Sequence, residues 1–354
     1  MNKVSVDGVG QNDTPTTQVK KRLQYVDMAR GIAMICIVLG HLKNPILNRF
    51  VYTFHVPIFY FITGFFTNDK KPVGEFVKNK AKTLLVPYAV TCGVMILIGT
   101  LIGLHNGDGS AFGKWVYAAV YGAGDTWQDP FYIKGIGAIW FLWATFWGSI
   151  FLRISLKFNK VARKIFIFGL FVAGYYSRFY IWLPLSIQAG ACAVLFMYMG
   201  YLLKKSSETL HKIPTEVKIF GFIFAVIVWL NFIGSFQSFW LVHCDIGRGI
   251  VDIFGTMCAC SVLMFLCWFA ERKNFFLVKP LALIGKYSLI FLCVHITELT
   301  FVPWWKMAEH FTGITGLPEW TQLAFVITGK LVTDLFITWV CVKIKPVRKI
   351  MGYK

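Results

Sequence analysis

A chain of 354 residues that is 56% hydrophobic and 15% charged, with a mean hydropathy of +0.60, cannot hide its apolar surface in a water-soluble globule. That composition excludes a disordered chain, a collagen-like fibre and a disulfide-rich secreted scaffold, and it reads as a polytopic membrane protein. The formal charge of +19 follows from Lys and Arg gathered in cytoplasmic loops, and calls for no nucleic acid.

In chain order, residues 1–22 are polar and read as a short disordered cytoplasmic tail, not a cleaved signal peptide. Apolar runs long enough to span follow near 26–43, 50–67, 83–104, 135–153, 165–182, 184–203, 217–237, 246–270, 281–301 and 318–342. Backbone groups in lipid must be satisfied within the segment, so these runs are helices. They do not alternate as barrel strands do. With the N-terminus inside, 28 of the 36 Lys and Arg fall in inner loops and tails, seven fall outside, and Lys330 lies mid-span. The expected fold is therefore all-α, an integral membrane bundle of about ten transmembrane helices with N- and C-termini cytoplasmic. The loop 105–134, rich in Gly and aromatics, is expected to form an interfacial helix or a lid. Gly99 and Gly103 permit close helix packing, within the monomer or between copies. The nine Cys include no C-x-x-C and mostly lie in apolar runs, so neither a disulfide framework nor a zinc site is expected.

Ionisable residues at membrane depth are costly and mark candidate sites. An inner layer holds Asp27 and Arg30, spaced to pair on the first helix, with Lys78 and Lys82 at the entry of the third. The bland account of those lysines is snorkelling at the membrane surface. An outer layer holds His41, His55 and Trp140, then Asp245, Arg248 and Asp252 on one face of the eighth helix, and His295 with Glu298 on the ninth. Arg30 and His41 are eleven residues apart, about 16 Å along a helix and on nearly the same face. One stripe thus carries a fixed cation at one end and a titratable imidazole at the other. Lys330 and Asp334, spaced i,i+4, read as a structural pair with each other.

The runs YVDMARGIAMICIVLGH (25–41), YTFHVPIFYFITGFF (52–66), KNKAKTLLVPY (78–88), IWFLWATF (139–146) and IGKYSLIFLCVHI (284–296) resemble the acyltransferase-3 family of integral membrane acyltransferases. The closest likeness is to its fucose 4-O-acetylase-like and polysaccharide O-acetyltransferase branch. The resemblance covers essentially the whole chain, and the D-x-x-R-G…G-H signature of the first helix is its most specific part. It implies a membrane domain over residues 23–345, between the tail 1–22 and a basic cytoplasmic tail 346–354, in a bacterial cytoplasmic (inner) membrane. It also implies transfer of an acyl group, usually acetyl from acetyl-CoA, to a sugar hydroxyl of a surface glycan or its lipid-linked precursor. Arg30 and His41 match the family's R-x10-H pair, with His41 catalytic, and His55 falls two residues before the Pro of the second motif. Thr63 stands where the family usually has Ser. With no hydrolase-like domain after the tenth span, the acceptor is expected on the membrane domain itself.

The residue chemistry agrees. A sugar hydroxyl is a poor nucleophile and needs a base of near-neutral pKa, for which His is the usual choice. His41 is the expected base, with an acyl-histidine intermediate as an open variant. The developing oxyanion needs a donor, for which Arg248, His295, Trp140 and backbone amides are candidates, and His55 is a further candidate catalytic residue. Arg30, Lys78 and Lys82 are expected to hold the acetyl-CoA phosphates, with Asp27 orienting Arg30. Trp140, Asp252 and Glu298 are the candidate acceptor contacts, and no metal is expected. The competing readings are a polar-lipid or glycan transporter, acyl transfer to a non-glycan acceptor, and a catalytically silent scaffold. Transport gives no reason for the D-x-x-R-G…G-H signature and calls for inverted halves that the chain lacks.

Overall fold

Helices take up most of the chain because an apolar sequence must satisfy its backbone internally. The computed structural model describes residues 22–42, 44–68 and 70–353. Expectations for residues 1–21 and for Lys43 and Lys354 lie outside the described residues. The order is α1 (Gln24–Gly40), α2 (Pro45–Val51), α3 (Pro57–Phe65), α4 (Val73–Lys80), α5 (Val86–His105), α6 (Ala111–Tyr121), α7 (Trp140–Ser155), α8 (Lys160–Ser177) and α9 (Ile187–Lys205). There follow α10 (Ser207–Lys212), α11 (Thr215–Gly234), α12 (Ile250–Arg272), α13 (Val278–Lys286), α14 (Ser288–Phe301), α15 (Trp304–Thr315), α16 (Trp320–Lys343) and α17 (Lys345–Ile350). No strand occurs among the described residues, only an isolated bridge between Trp127 and Ile133.

Among the described residues, five helical stretches are long and apolar enough to cross a membrane: Val73–His105, Pro184–Lys205, Thr215–Gly234, Ile250–Arg272 and Trp320–Lys343. A sixth is counted if α13 and α14, bent by 73° at their junction, make one span. The run expected at 50–67 is broken. Asn44 caps α2 by accepting from the amides of Ile46 and Leu47. A turn over residues 52–56 then separates α2 from α3, which Pro57 opens. The run expected at 83–104 extends downward instead, through a π-helical turn at Ala81–Leu85. Pro87 has no amide to give to the preceding turn, and the π turn absorbs that break.

Two close crossings fix the centre of the bundle. A Cβ on Gly31 would sit 2.0 Å from the Leu281 carbonyl oxygen, and one on Gly285 would sit 1.7 Å from that of Asp27. Only glycine lets α1 and α13 approach this closely, which accounts physically for the Gly of D-x-x-R-G. The second crossing joins α3 to α9, where Gly64 faces the Met197 carbonyl and Gly200 faces that of Phe61. The loop 105–134 does contain a helix, α6, and it lies on α5: Gly99 meets the Trp115 indole and Gly103 meets the Ala111 methyl. The Gly99–Gly103 pair is therefore used within the monomer. At the far end of the chain, Tyr353 packs on Tyr287 at 5.2 Å and its hydroxyl accepts from the Leu289 amide.

Candidate active site

Helix α1 organises the site. His41 is its C-cap, one residue past the helical span. The His41 Nδ1 lies 2.8 Å from the Ile37 carbonyl, one turn back. A carbonyl only accepts, so this contact assigns the proton to Nδ1 and leaves Nε2 with a free lone pair. His55 repeats the device in the turn before α3, with Nδ1 2.7 Å from the Val51 carbonyl. Tyr52 stands edge-on to His55 at 4.7 Å, and its hydroxyl donates to the Gly40 carbonyl.

The two imidazoles line one cavity of about 90 Å³, with Tyr52, Trp140, Phe141 and Trp240 among the other walls. Its lining comes from α1, the 52–56 turn, α3, α7, the segment before α12, and α14. The convergence of His41, His55 and Trp140 expected from depth alone is thus present in three dimensions.

His295 approaches from behind. It is wholly buried on α14, and its Nε2 lies 3.4 Å from His41 Nδ1. Its Nδ1 lies 2.8 Å from Asp334 Oδ2 and 3.3 Å from Glu298 Oε2. Lys330 Nζ donates to both oxygens of Glu298, at 2.9 and 3.3 Å, and the Trp304 indole N–H donates to the same carboxylate. The expected pairing of Lys330 with Asp334 is corrected here. The i,i+4 spacing does put both on one face of α16, but that face meets α14, where Glu298 takes the lysine and His295 takes the aspartate.

Arg248 and Asp252 are not placed as a helix face. Gly247 and Gly249 have φ of 53° and 71°, so the chain is irregular until α12 starts at Ile250. Asp252 is buried and accepts from the Arg248 Nε at 2.9 Å, its Nη2 at 2.7 Å and its amide at 2.8 Å. That clamp closes the start of α12 and lies apart from the residues lining the cavity. Asp245 pairs with Arg178 at 3.4 Å.

At the other end of the α1 stripe, Asp27 is buried between two guanidiniums. Arg22 bonds it through Nε and Nη2, and Arg30 lies 3.5 Å away. Lys78 and Lys82 are exposed, whereas half-buried Lys80 is the lysine within electrostatic reach of Arg30. Arg30 also feels Tyr353 of the chain end.

His295, Glu298 and Asp334 place one ligand atom each within 4.8 Å of one another, a grouping the sequence spacing did not reveal. A cation already serves that group, since the Lys330 ammonium bonds Glu298. Sequence reasoning missed Asp334 and Lys330 as neighbours of the histidines. It also missed Tyr52 and Trp240 as cavity walls. Their signal is weak because aromatic residues fill this chain.

Comparison with known proteins places the chain in a family. The chain matches the acyltransferase-3 family, described as an acyltransferase domain, over residues 23–338. It is 24% identical over 177 residues to Nodulation protein NolL of Mesorhizobium japonicum, covering 46% of this chain and 43% of that protein. It is 24% identical over 154 residues to Nodulation protein NolL of Sinorhizobium fredii, covering 39% and 38%. The chain thus spans less than half the length of these curated relatives, and no solved structure gives a significant match. With the signature residues Asp27, Arg30, Gly31 and His41 all placed on one helix and its cap, the chain belongs to the acyltransferase-3 family of membrane acyltransferases.

Proposed function

We propose that this protein is a multi-pass enzyme of the bacterial cytoplasmic membrane that moves an acetyl group from cytoplasmic acetyl-CoA to a hydroxyl of a surface-glycan sugar or its lipid-linked precursor. Both termini lie in the cytoplasm on this reading, the bundle has about ten spans, and residues 23–345 form the catalytic membrane domain. The observation that carries the reading is the His41 imidazole, whose Nδ1 is tied to the Ile37 carbonyl and which lines a cavity beside His55 and Trp140.

A hydroxyl seated in that cavity gives its proton to His41 Nε2 as its oxygen attacks the thioester carbon. The new C–O bond forms, the C–S bond breaks, and the proton passes to the departing CoA sulfur. Trp140 and backbone amides at the cavity are the groups near enough to oppose charge on the acyl oxygen. The cavity's 90 Å³ suit a thioester and a hydroxyl, so the CoA phosphates sit at the Arg30 end of the stripe. There Arg30, oriented by Asp27, holds them with Lys78, Lys82 and the neighbouring Lys80.

The test uses full-length protein in nanodiscs with radiolabelled acetyl-CoA. Label should pass to extracted lipid-linked glycan, with release of free CoA. His41→Ala should lose transfer while still binding acetyl-CoA, and Arg30→Ala should lose binding. Wild-type protein that neither binds acetyl-CoA nor releases CoA would overturn the proposal, and transport of the polar lipid would be assayed next.

A further inference from the structure

The wall behind His41 holds chemistry that the proposed reaction does not yet use. His295, Glu298, Lys330 and Asp334 are each at least 95% buried, and they bond chiefly to one another. Four ionisable side chains with so little solvent hold any net charge at a cost. Counted formally, Lys330 adds +1, while Glu298 and Asp334 add −1 each. A neutral His295 leaves the group at −1, and a doubly protonated one brings it to zero. The group thus has room for one positive charge, and His295 is the member that reaches a cavity residue, His41.

Hydrogen bonds fix the direction of that contact. Asp334 Oδ2 and Glu298 Oε2 both face His295 Nδ1, so Nδ1 carries its proton and Nε2 presents a lone pair. That lone pair lies 3.4 Å from His41 Nδ1, the nitrogen whose proton points at the Ile37 carbonyl. His41 Nδ1–H therefore stands between two acceptors, a carbonyl that can never take the proton and an imidazole that can. One carboxylate oxygen of the group, Asp334 Oδ1, is buried without a hydrogen-bond partner among the described residues.

We infer that Asp334, Glu298 and Lys330 are positioning residues that hold His295 as a proton acceptor for His41, giving a two-imidazole relay, Asp334–His295–His41, behind the cavity. The inference rests on His41 being the base. When His41 Nε2 takes the acceptor hydroxyl's proton, the Nδ1 proton shifts to His295 Nε2. The hydroxyl oxygen forms its bond to the acyl carbon and the C–S bond breaks. The charge that appears on His295 completes the neutrality of the buried group. Both shifts then reverse, and the proton leaves from His41 Nε2 to the thiolate, so no co-reactant is consumed. Lys330 keeps Glu298 from neutralising His295 on its own, which leaves the imidazole able to gain and lose the proton. The charges facing His295 are those of Glu298 on its own helix, Lys330 and Asp334 on α16, and His41 at the end of α1, with His55 beyond it.

The experiment compares wild type with Asp334→Asn, Asp334→Glu and His295→Gln in nanodiscs, after each is shown to be monodisperse and to melt cooperatively. Its first arm is independent of turnover. In protein labelled with ¹⁵N-histidine, long-range ¹H–¹⁵N spectra should show His295 protonated at Nδ1 with a strongly deshielded proton. The assignment is made by the loss of that signal in His295→Gln. Asp334→Asn should move it upfield and perturb His41, while Asp334→Glu should restore most of it. Its second arm is acetyl-CoA turnover. Asp334→Asn should lower kcat at least tenfold with KM for acetyl-CoA unchanged, and Asp334→Glu should recover part of the loss. A wild-type His295 protonated at Nε2 in place of Nδ1, or an Asp334→Asn enzyme with unchanged kcat, overturns the relay. Wild-type protein without any turnover overturns the acyltransferase reading, and the spectra still decide whether the Asp334–His295–His41 pairing exists.

Discussion

His41 was legible because its information is local. The separation from Arg30 returns to one face of one helix, and the motif that carries both needs no distant partner to be seen. The groups around His295 were half legible. Their depth was apparent from the sequence, but which acid meets which base was not, because pairs such as His295–Asp334 and Lys330–Glu298 join helices more than thirty residues apart. The short-range rule chose Lys330 with Asp334, and the packing of α16 on α14 overruled it. The buried pair has a measurable consequence. Lys330→Met leaves the Glu298 carboxylate without its cation and should cost about 3–5 kcal/mol of stability. Lys330→Met combined with Glu298→Met should recover most of that loss, since an apolar pair needs no desolvation of charge. Detergent-resistant unfolding, followed by tryptophan fluorescence, checks both. A single variant as stable as wild type would mean that Glu298 is protonated or otherwise satisfied.

Among the helices, long apolar runs without internal breaks were read well. The expected runs at 184–203, 217–237, 246–270 and 318–342 agree with helices Pro184–Lys205, Thr215–Gly234, Ile250–Arg272 and Trp320–Lys343 to within a few residues. The failures fall where a local cap or a special φ competes with hydropathy. Asn44 and Pro57 divide the second run, and the glycines at 247 and 249 delay α12 past Asp245 and Arg248. Hydropathy is blind to both, because it counts side chains and not backbone angles. Glycines inside helices carry a different message, namely how near two axes come. Gly31→Ala would put a methyl 2.0 Å from the Leu281 carbonyl oxygen, so α1 and α13 must separate. The expected cost is about 1–3 kcal/mol, together with reduced acetyl-CoA binding, because Arg30 is the adjacent residue. Gly221→Ala is the control: nothing lies within 4 Å of its Cβ in α11, so it should be neutral or stabilise by up to about 1 kcal/mol. Equal thermal shifts for the two variants would show that the close crossing does not hold the bundle.

For the molecule as a whole, charge and length bear on topology in different ways. On the expected ten-span topology 28 Lys and Arg fall inside and 7 outside, a split that argues for alternating spans and would account for the net charge of +19. Helix length is more sparing: five stretches, or six with the bent pair, reach the size of a span. Helix α7 is the sharpest case, since its 16 residues rise only about 24 Å, against a hydrocarbon core of about 30 Å. It nevertheless carries Trp140 at one end and Arg153 at the other, and ten spans require it to cross. The proposed topology puts exposed Gln128, before α7, outside the cell and exposed Lys164, after it, inside. Native thiols give little background, because eight of the nine Cys are buried and Cys341 is half-buried. A membrane-impermeant maleimide applied to intact cells should therefore label Gln128→Cys at once. Lys164→Cys should react only after the membrane is permeabilised. Labelling of both from outside would make α7 a helix that enters and does not cross. The count of spans would then fall below ten, and the charge asymmetry would have to be redrawn around the longer helices alone.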